Sequence, residues 1–172
     1  KGDCLITEGS GASSGYSGQI HRTFSLGEGP TAEWKRMHDA AVEGFETLAR
    51  VIKDGATTTE AEEAAEIIHE RGYSIYDDLV HGVNQYPPIF QTKTTRRHDS
   101  REITFRANMV IVIQPNLMTH DEKMGLQFGE TLVVQDAHII KPRAKILDLQ
   151  QPDKQMSKSL GGAGCLSLLD EV

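Results

Sequence analysis

The chain has 172 residues, enough for one globular domain with a substantial hydrophobic core. Its 38% hydrophobic and 25% charged residues are typical of a water-soluble domain, and no apolar run is long enough to predict a membrane helix. The net charge of −7 argues against a general nucleic-acid binder, because phosphate recognition needs a clustered basic surface. The two cysteines have no CxxC spacing, which argues against a disulfide framework or zinc site and favours a cytoplasmic protein.

The first third of the chain has the pattern of a hairpin followed by a helix. Residues 4–8 and 15–26 are predicted as strands joined by a turn at GSGASS. A helix is expected to begin near Pro30-Thr31 and to end at Asp54-Gly55. Its apolar residues recur at spacings of three and four, as they do on one face of a helix: Trp34, Met37, Ala41, Phe45, Leu48 and Ile52.

The remaining elements predict an α+β domain. Thr59 is expected to open a second helix, with Glu62 in capping-box position and Gly72 at the end. Strands are predicted at residues 109–113 and 126–134. The order of strands, helices and further strands favours helices packed on one face of an antiparallel sheet.

Five segments carry a resemblance to a known family. They are GYSGQIHRTFSLG, the DGATTTE passage after the first helix, HGVNQYPP, NMVIVIQPNL and MGLQFGETLVV. In this order and spacing they resemble the pita-bread fold family of methionine aminopeptidases, Xaa-Pro peptidases and creatinase. The resemblance covers residues 1 to about 135. It implies the later half of that fold, a curved antiparallel sheet with helices on one face, and an expected upstream half.

The resemblance also implies where a metal site would lie. Metal-dependent members of the family hold two divalent ions with five side chains, and the ions activate a water for peptide hydrolysis. Carried over position by position, these side chains fall on Glu8, Gln19, His81, Gln114 and Gly129. Only Glu8 and His81 could act as ligands, so the other three are vacated ligand positions. We therefore expect a degenerate site without a dinuclear metal centre.

Two interpretations of this larger part remain open. Creatinase shows that the fold can hydrolyse a C–N bond without metal. His81, with Glu8 or Glu130, could act as general acid and base on a small-molecule or peptide substrate. The other interpretation is a pseudoenzyme that only binds a ligand or serves as a scaffold. Neither interpretation requires a cofactor, and the sequence leaves open whether the protein is a homodimer.

The C-terminal part resembles a different family. DLQQPDKQMSKS, followed by LGGAGCLSLLDEV, resembles the KMSKS-loop region of tryptophanyl-tRNA synthetases over residues from about 136 to 172. The loop of that family closes over ATP. The resemblance therefore implies an ATP-binding role for Lys158, flanked by Ser157 and Ser159, although Gln155 replaces the first lysine of the motif. We expect an irregular, loop-rich tail.

The chain therefore looks composite, with a partial peptidase- or creatinase-like domain at 1–135 and a synthetase-like tail at 136–172. The boundary is expected within 127–141, where both families have a similar strand. No HIGH-like signature and no nucleotide-binding βαβ array precede the tail. The leading hypothesis is a hydrolase domain with a degenerate metal site, metal-independent or inactive. The alternatives are part of a tryptophan–tRNA ligase, with ATP and tRNA as partners, and a non-catalytic binding module.

Overall fold

A computed structural model of the protein describes residues 4–27, 29–96 and 101–136. These residues belong to the compact unit Lys1–Lys141. The predicted ATP-binding residues Ser157, Lys158 and Ser159 lie outside the described residues, as does the loop-rich tail. The division of the chain within 127–141 stays a prediction.

Three α-helices, one 3-10 turn and nine strands are found among the described residues. The helices are α1 (Ala32–Val51), α2 (Thr58–Ala64) and α3 (Ile67–Glu70), and the 3-10 turn is Val83–Gln85. The strands are β1 (Cys4–Ser13), β2 (Tyr16–Ser25), β3 (Ser74–Ile75), β4 (Val80–Gly82), β5 (Ile89–Phe90), β6 (Val110–Ile113), β7 (Leu117–Met118), β8 (Gly125–Leu126) and β9 (Gly129–Val133). None of the helices in this part of the chain has the length and apolar character to span a bilayer.

The strands form two antiparallel sheets. The larger has the order β1-β2-β9-β6-β4-β5, and the smaller has the order β3-β7-β8. Strands distant in sequence are neighbours, since β9 lies between β2 and β6. The predicted α+β class with an antiparallel sheet is confirmed.

The larger sheet has two chemically different faces. Ile111, which is paired with Leu132, and Ile113 belong to the same hydrophobic core as the buried side of α1. We call this side the helix face. The intervening residues, among them Val112 and its partner Thr131, point to the opposite side because successive strand residues alternate. We call that side the polar face.

Helix α1 confirms the periodicity that predicted it. Thr31 is its N-cap and accepts a hydrogen bond from the backbone N–H of Trp34. Phe45, on the buried side, packs edge-on against Phe128 between β8 and β9, with 5.4 Å between ring centroids. These contacts fix the helix on the helix face and leave the polar face uncovered by α1.

The hairpin turn differs from the prediction. Residues 9–13 continue strand β1, so the predicted turn at GSGASS is wrong. The reversal takes only Ser14 and Gly15, whose φ angles are 51° and 84°. Such positive values at both central residues suit the right-handed twist of a two-residue hairpin. Both strands of the hairpin are therefore ten residues long.

The predicted capping box is also wrong by two residues. It consists of Thr57 and Glu60, with Glu60 Oε2 accepting from the Thr57 N–H at 2.8 Å and Thr57 Oγ1 accepting from the Glu60 N–H at 3.2 Å. Thr59 lies inside α2 instead. Glu62 is buried and lies beside Arg96, with 3.3 Å between Oε2 and Nε.

Candidate functional site

The central strands bring one carboxylate, one amide and one imidazole onto the polar face. Glu8 of β1 lies directly opposite His21 of β2, and His21 lies directly opposite Gly129 of β9. Directly opposed residues of antiparallel strands point to the same face. Gln19 precedes His21 by two residues and shares that face. Thr131 Oγ1, two residues after Gly129, accepts from the Gln19 N–H at 2.6 Å.

His81 and Gln114 lie on the same face of the neighbouring strands. His81 in β4 is paired with Val112 in β6, which is paired in turn with Thr131. Gln114 follows Val112 by two residues, and its Oε1 is 3.2 Å from His81 Nε2. The five positions that the resemblance singled out therefore occupy one surface of the sheet.

The remaining polar groups at these positions are hydrogen-bonded to one another. Gln19 donates from Nε2 to Glu8 Oε1 at 2.7 Å. Gln114 donates from Nε2 to the carbonyl oxygen of Asp78 at 2.8 Å, an orientation that turns its Oε1 towards His81. The other ring nitrogen of His81 lies 2.7 Å from the carbonyl oxygen of Gly82. The side chains at positions 8, 19, 81 and 114 are thus held by polar contacts within the protein.

Position 129 has no space for a side chain. A Cβ atom there would lie 2.6 Å from the carbonyl oxygen of Ile113, 2.8 Å from Gln114 Cα and 2.9 Å from Gln114 Cβ. Two of these three atoms belong to the backbone at the end of β6. Glycine is required because the two backbones approach so closely.

These residues do not fit the dinuclear metal centre that the resemblance implies. Two adjacent divalent cations need several anionic oxygen ligands, whereas glutamine supplies only a neutral oxygen. Glu8 is the one carboxylate among the five positions. In residues 4–27, 29–96 and 101–136, no group of three or more His, Cys, Asp or Glu side chains could hold a metal ion.

Glu130 lies on the other side of the sheet. It is paired with Ile20 and with the core residue Ile113, so it points towards the helix face. Its carboxylate forms an ion pair with Arg22, whose guanidinium lies 5.0 Å from the centroid of the Phe128 ring. The structure therefore brings Glu8 and His81 onto the polar face but does not bring Glu130 there.

His21 is a polar-face residue that the sequence analysis did not select. Its side chain is buried, and the side-chain amide of Gln127 lies within hydrogen-bonding reach of the imidazole. Burial lowers the pKa of His21, while the charge of Glu8 and a hydrogen bond with the side chain of Gln127 act in the opposite direction. The sequence could have indicated that His21 belongs to this face, since it follows Gln19 by two residues in a predicted strand.

The comparison with family patterns settles the family. The pattern of metallopeptidase family M24 matches residues 1–136. The chain belongs to metallopeptidase family M24. This confirms the resemblance proposed for residues 1 to about 135.

Solved structures of peptidases share the fold of this M24 domain. They include an X-Pro aminopeptidase from Thermotoga maritima, with a TM-score of 0.67, 21% identity, and coverage of 82% of this chain and 39% of that one. The prolidase from Pyrococcus furiosus has a TM-score of 0.69 and 22% identity, with coverage of 82% and 41%. A methionine aminopeptidase from Rickettsia prowazekii has a TM-score of 0.66 and 18% identity, with coverage of 81% and 64%. The chain thus spans about two fifths of the first two structures.

The second resemblance is confirmed over a short segment. The tryptophan–tRNA ligase of Leifsonia xyli is 53% identical over 51 residues, which are 29% of this chain and 15% of that protein. A tryptophan–tRNA ligase of Streptomyces avermitilis is 47% identical over 51 residues, again 15% of its length. The similarity is high but covers a small part of each ligase.

Proposed function

We propose that this M24 domain is metal-independent and that its polar face binds a small-molecule or peptide ligand without a dinuclear metal centre. The closed position 129 carries the proposal. At Gln19 or Gln114 a carboxylate could replace the amide without moving the backbone. At Gly129 the close approach of Ile113 and Gln114 removes the space that a carboxylate side chain would occupy. If the domain is a hydrolase, its reaction uses protein side chains alone and no metal ion.

The polar face offers directional hydrogen-bonding groups in place of concentrated negative charge. Glu8 is exposed and Gln19 is half-buried, so a ligand can reach them from solvent. His81 and Gln114 are buried deeper in the same face. Two amides, an imidazole and one carboxylate suit a ligand with its own donors and acceptors.

Metal analysis tests the proposal directly. The 172-residue protein is incubated in turn with Mn²⁺, Co²⁺ and Zn²⁺, dialysed, and analysed for bound metal. In parallel, hydrolysis of Xaa-Pro dipeptides is measured with and without each ion, because the structural neighbours include an X-Pro aminopeptidase and a prolidase. We expect fewer than two ions per chain and no stimulation by metal. Stoichiometric binding of two ions would contradict the proposal.

Metal-independent hydrolysis is distinguished from binding by His81→Ala. If the domain acts as a creatinase-like hydrolase, activity without added metal should be lost in His81→Ala and retained in Lys158→Ala. If it only binds, neither variant changes hydrolysis, which stays at the background rate. Both ring nitrogens of His81 face acceptor oxygens of the protein, and a neutral imidazole can donate to only one of them. These contacts favour the binding role, because proton transfer to or from a substrate would require His81 to give up one of them.

A second candidate function is supported by the tryptophan–tRNA ligase similarity of 53% over 51 residues. Under this proposal the chain contributes ATP-dependent chemistry through Lys158. Tryptophan-dependent exchange of pyrophosphate into ATP should then be detectable. It should be lost in Lys158→Ala and unaffected by His81→Ala, the reverse of the pattern expected for a hydrolase.

A further inference from the structure

Strand β1 lies at one end of the larger sheet. Among residues 4–27, 29–96 and 101–136 its ladder partner is β2, and its other side, which we call the open edge, pairs with no strand. Glu8 is the single charged residue of the ten in this strand, which contains no lysine and no proline. Edge strands commonly use lysine, proline or similar devices to resist pairing with another chain. The open edge of β1 lacks both residues along its whole length.

The contacts of β2 show which backbone groups face the open edge. The N–H of Gln19 donates to Thr131 Oγ1 in β9 at 2.6 Å, and its carbonyl oxygen accepts from the same hydroxyl at 3.2 Å. Gln19 therefore turns its backbone groups away from β1. Ser10, directly opposite Gln19, must then turn its own away from β2. Because this direction alternates along a strand, Glu8 and Ala12 also present an N–H and a carbonyl oxygen to the open edge.

Apolar side chains flank this edge on both faces of the sheet. Leu5 and Ile6 are adjacent in β1, so they point to opposite faces, and they are 45% and 42% exposed. Ile20 of β2, which lies opposite Gly9, is 44% exposed. Glycine inside a strand often marks a place where a second backbone approaches closely. At Gly11 the packing within the described part of the chain does not require glycine, since a Cβ atom there would meet nothing within 4 Å.

We propose that β1 pairs antiparallel with β1 of a second copy of this chain, around a two-fold axis at Gly9. Such an axis is perpendicular to the sheet and keeps both polar faces on one side, so only residues of the same face oppose each other. Pairing centred on Glu8 would place two carboxylates directly opposite each other, which destabilises a strand pair. Pairing centred on Thr7 would place Glu8 opposite the apolar Ile6. Centring on Gly9 places Glu8 opposite Ser10 of the second copy and leaves no side chain at the axis.

In this register the strand is complementary to itself. Glu8 opposes Ser10, and Ile6 opposes Ala12, so the residues whose backbone groups face the open edge meet one another and exchange hydrogen bonds. Ser10 Oγ already donates to Glu8 Oε1 within one chain at 3.2 Å, and the hydroxyl of the second copy offers the same donor. A two-fold interface requires a self-complementary surface of this kind, which is why a second copy fits the edge. The pairing goes beyond the proposed function and does not depend on it.

Sedimentation velocity of the 172-residue protein over a concentration series tests the pairing. We expect a reversible equilibrium between monomer and dimer. Ser10→Pro removes the N–H that faces the open edge but keeps the hydrogen bonds to β2, so the dissociation constant should rise about ten-fold or more, because two symmetric bonds are lost. Ser10→Ala is the matched control, since it loses the hydroxyl but keeps this N–H, and it should still dimerise. A protein that stays monomeric throughout, or a dimer that Ser10→Pro leaves intact, would overturn the proposal.

Engineered cysteines test the register. Gly9 would face Gly9 of the second copy in a pair without direct backbone hydrogen bonds, where the Cα atoms are about 4.5 Å apart, within the range of a disulfide. On mild oxidation Gly9→Cys should therefore form more cross-linked dimer than the unaltered protein with its two native cysteines. Gly11→Cys, which would face Thr7, should form no more than the unaltered protein. Equal cross-linking of the two variants would overturn the proposal, and this comparison decides the question if Ser10→Pro does not fold.

Discussion

Replacing Gly129 tests whether the vacated ligand position is closed. In Gly129→Ala the new Cβ atom would lie 2.6 Å from the carbonyl oxygen of Ile113 and within 2.9 Å of two atoms of Gln114. Overpacking of this kind costs about 1–3 kcal/mol, and the upper end applies because backbone atoms cannot rotate away. A loss of about 3 kcal/mol corresponds to a fall in Tm of roughly 6–12 °C for a chain of this size.

The assay is urea unfolding at neutral pH, with Gly11→Ala as the control. Gly11 lies in β1 of the same sheet, and a Cβ atom there would meet nothing within 4 Å. Its free energy of unfolding should change by no more than about 0.5 kcal/mol, or rise slightly because alanine restricts the unfolded chain. Gly129→Glu should be at least as unstable as Gly129→Ala and should gain no bound metal. A Gly129→Ala protein as stable as Gly11→Ala, or a metal-binding Gly129→Glu protein, would refute the closure.

Three further outcomes are expected. Because burial lowers the pKa of His21 below its ordinary value of 6.5, the unfolded chain binds this proton more readily. The stability that this group contributes is therefore complete above about pH 6.5 and is lost as pH falls through the folded-state pKa. In His21→Gln the Tm measured by thermal unfolding should therefore fall less steeply as the pH is lowered. Thr57→Ala removes the side chain that caps α2 with Glu60 and should lower the free energy of unfolding by about 1 kcal/mol, a result contradicted by an unchanged urea midpoint. Glu130→Gln weakens the ion pair with Arg22 and should lower the free energy of unfolding by no more than about 1 kcal/mol. Because Glu130 points to the helix face, the substitution should leave ligand affinity on the polar face unchanged, and an altered affinity would refute that placement.

Local sequence patterns predicted an element well where its apolar residues repeat with the period of a single type of secondary structure. The periodicity of α1 identified both its span and its buried side, because the apolar residues repeat with the helical period. The cap of α2 was harder to place, since Thr57, Thr58 and Thr59 are equivalent in sequence. Only the backbone geometry at Thr57 turns its hydroxyl towards the N–H of Glu60.

The site required knowledge that the residue pattern does not contain. Glu130 follows Gly129 directly in sequence, yet adjacent strand residues point to opposite faces, so it was selected for the wrong side of the sheet. The closure of position 129 depends on how near β6 approaches β9, which is a tertiary distance. Strand alternation alone would have added His21 to the site, because it shares a face with Gln19.

The substitutions on the polar face form a chemically consistent set. In a dinuclear centre, cations hold clustered carboxylates together that would otherwise repel one another. Here each glutamine supplies a neutral N–H donor instead, from Gln19 to the remaining carboxylate of Glu8 and from Gln114 to the carbonyl oxygen of Asp78. Restoring an aspartate at position 19 alone would remove the donor and place a second negative charge beside Glu8 with no cation between them. The amides and the closed position 129 therefore stabilise the same state, a polar face that keeps its shape through hydrogen bonds within the protein.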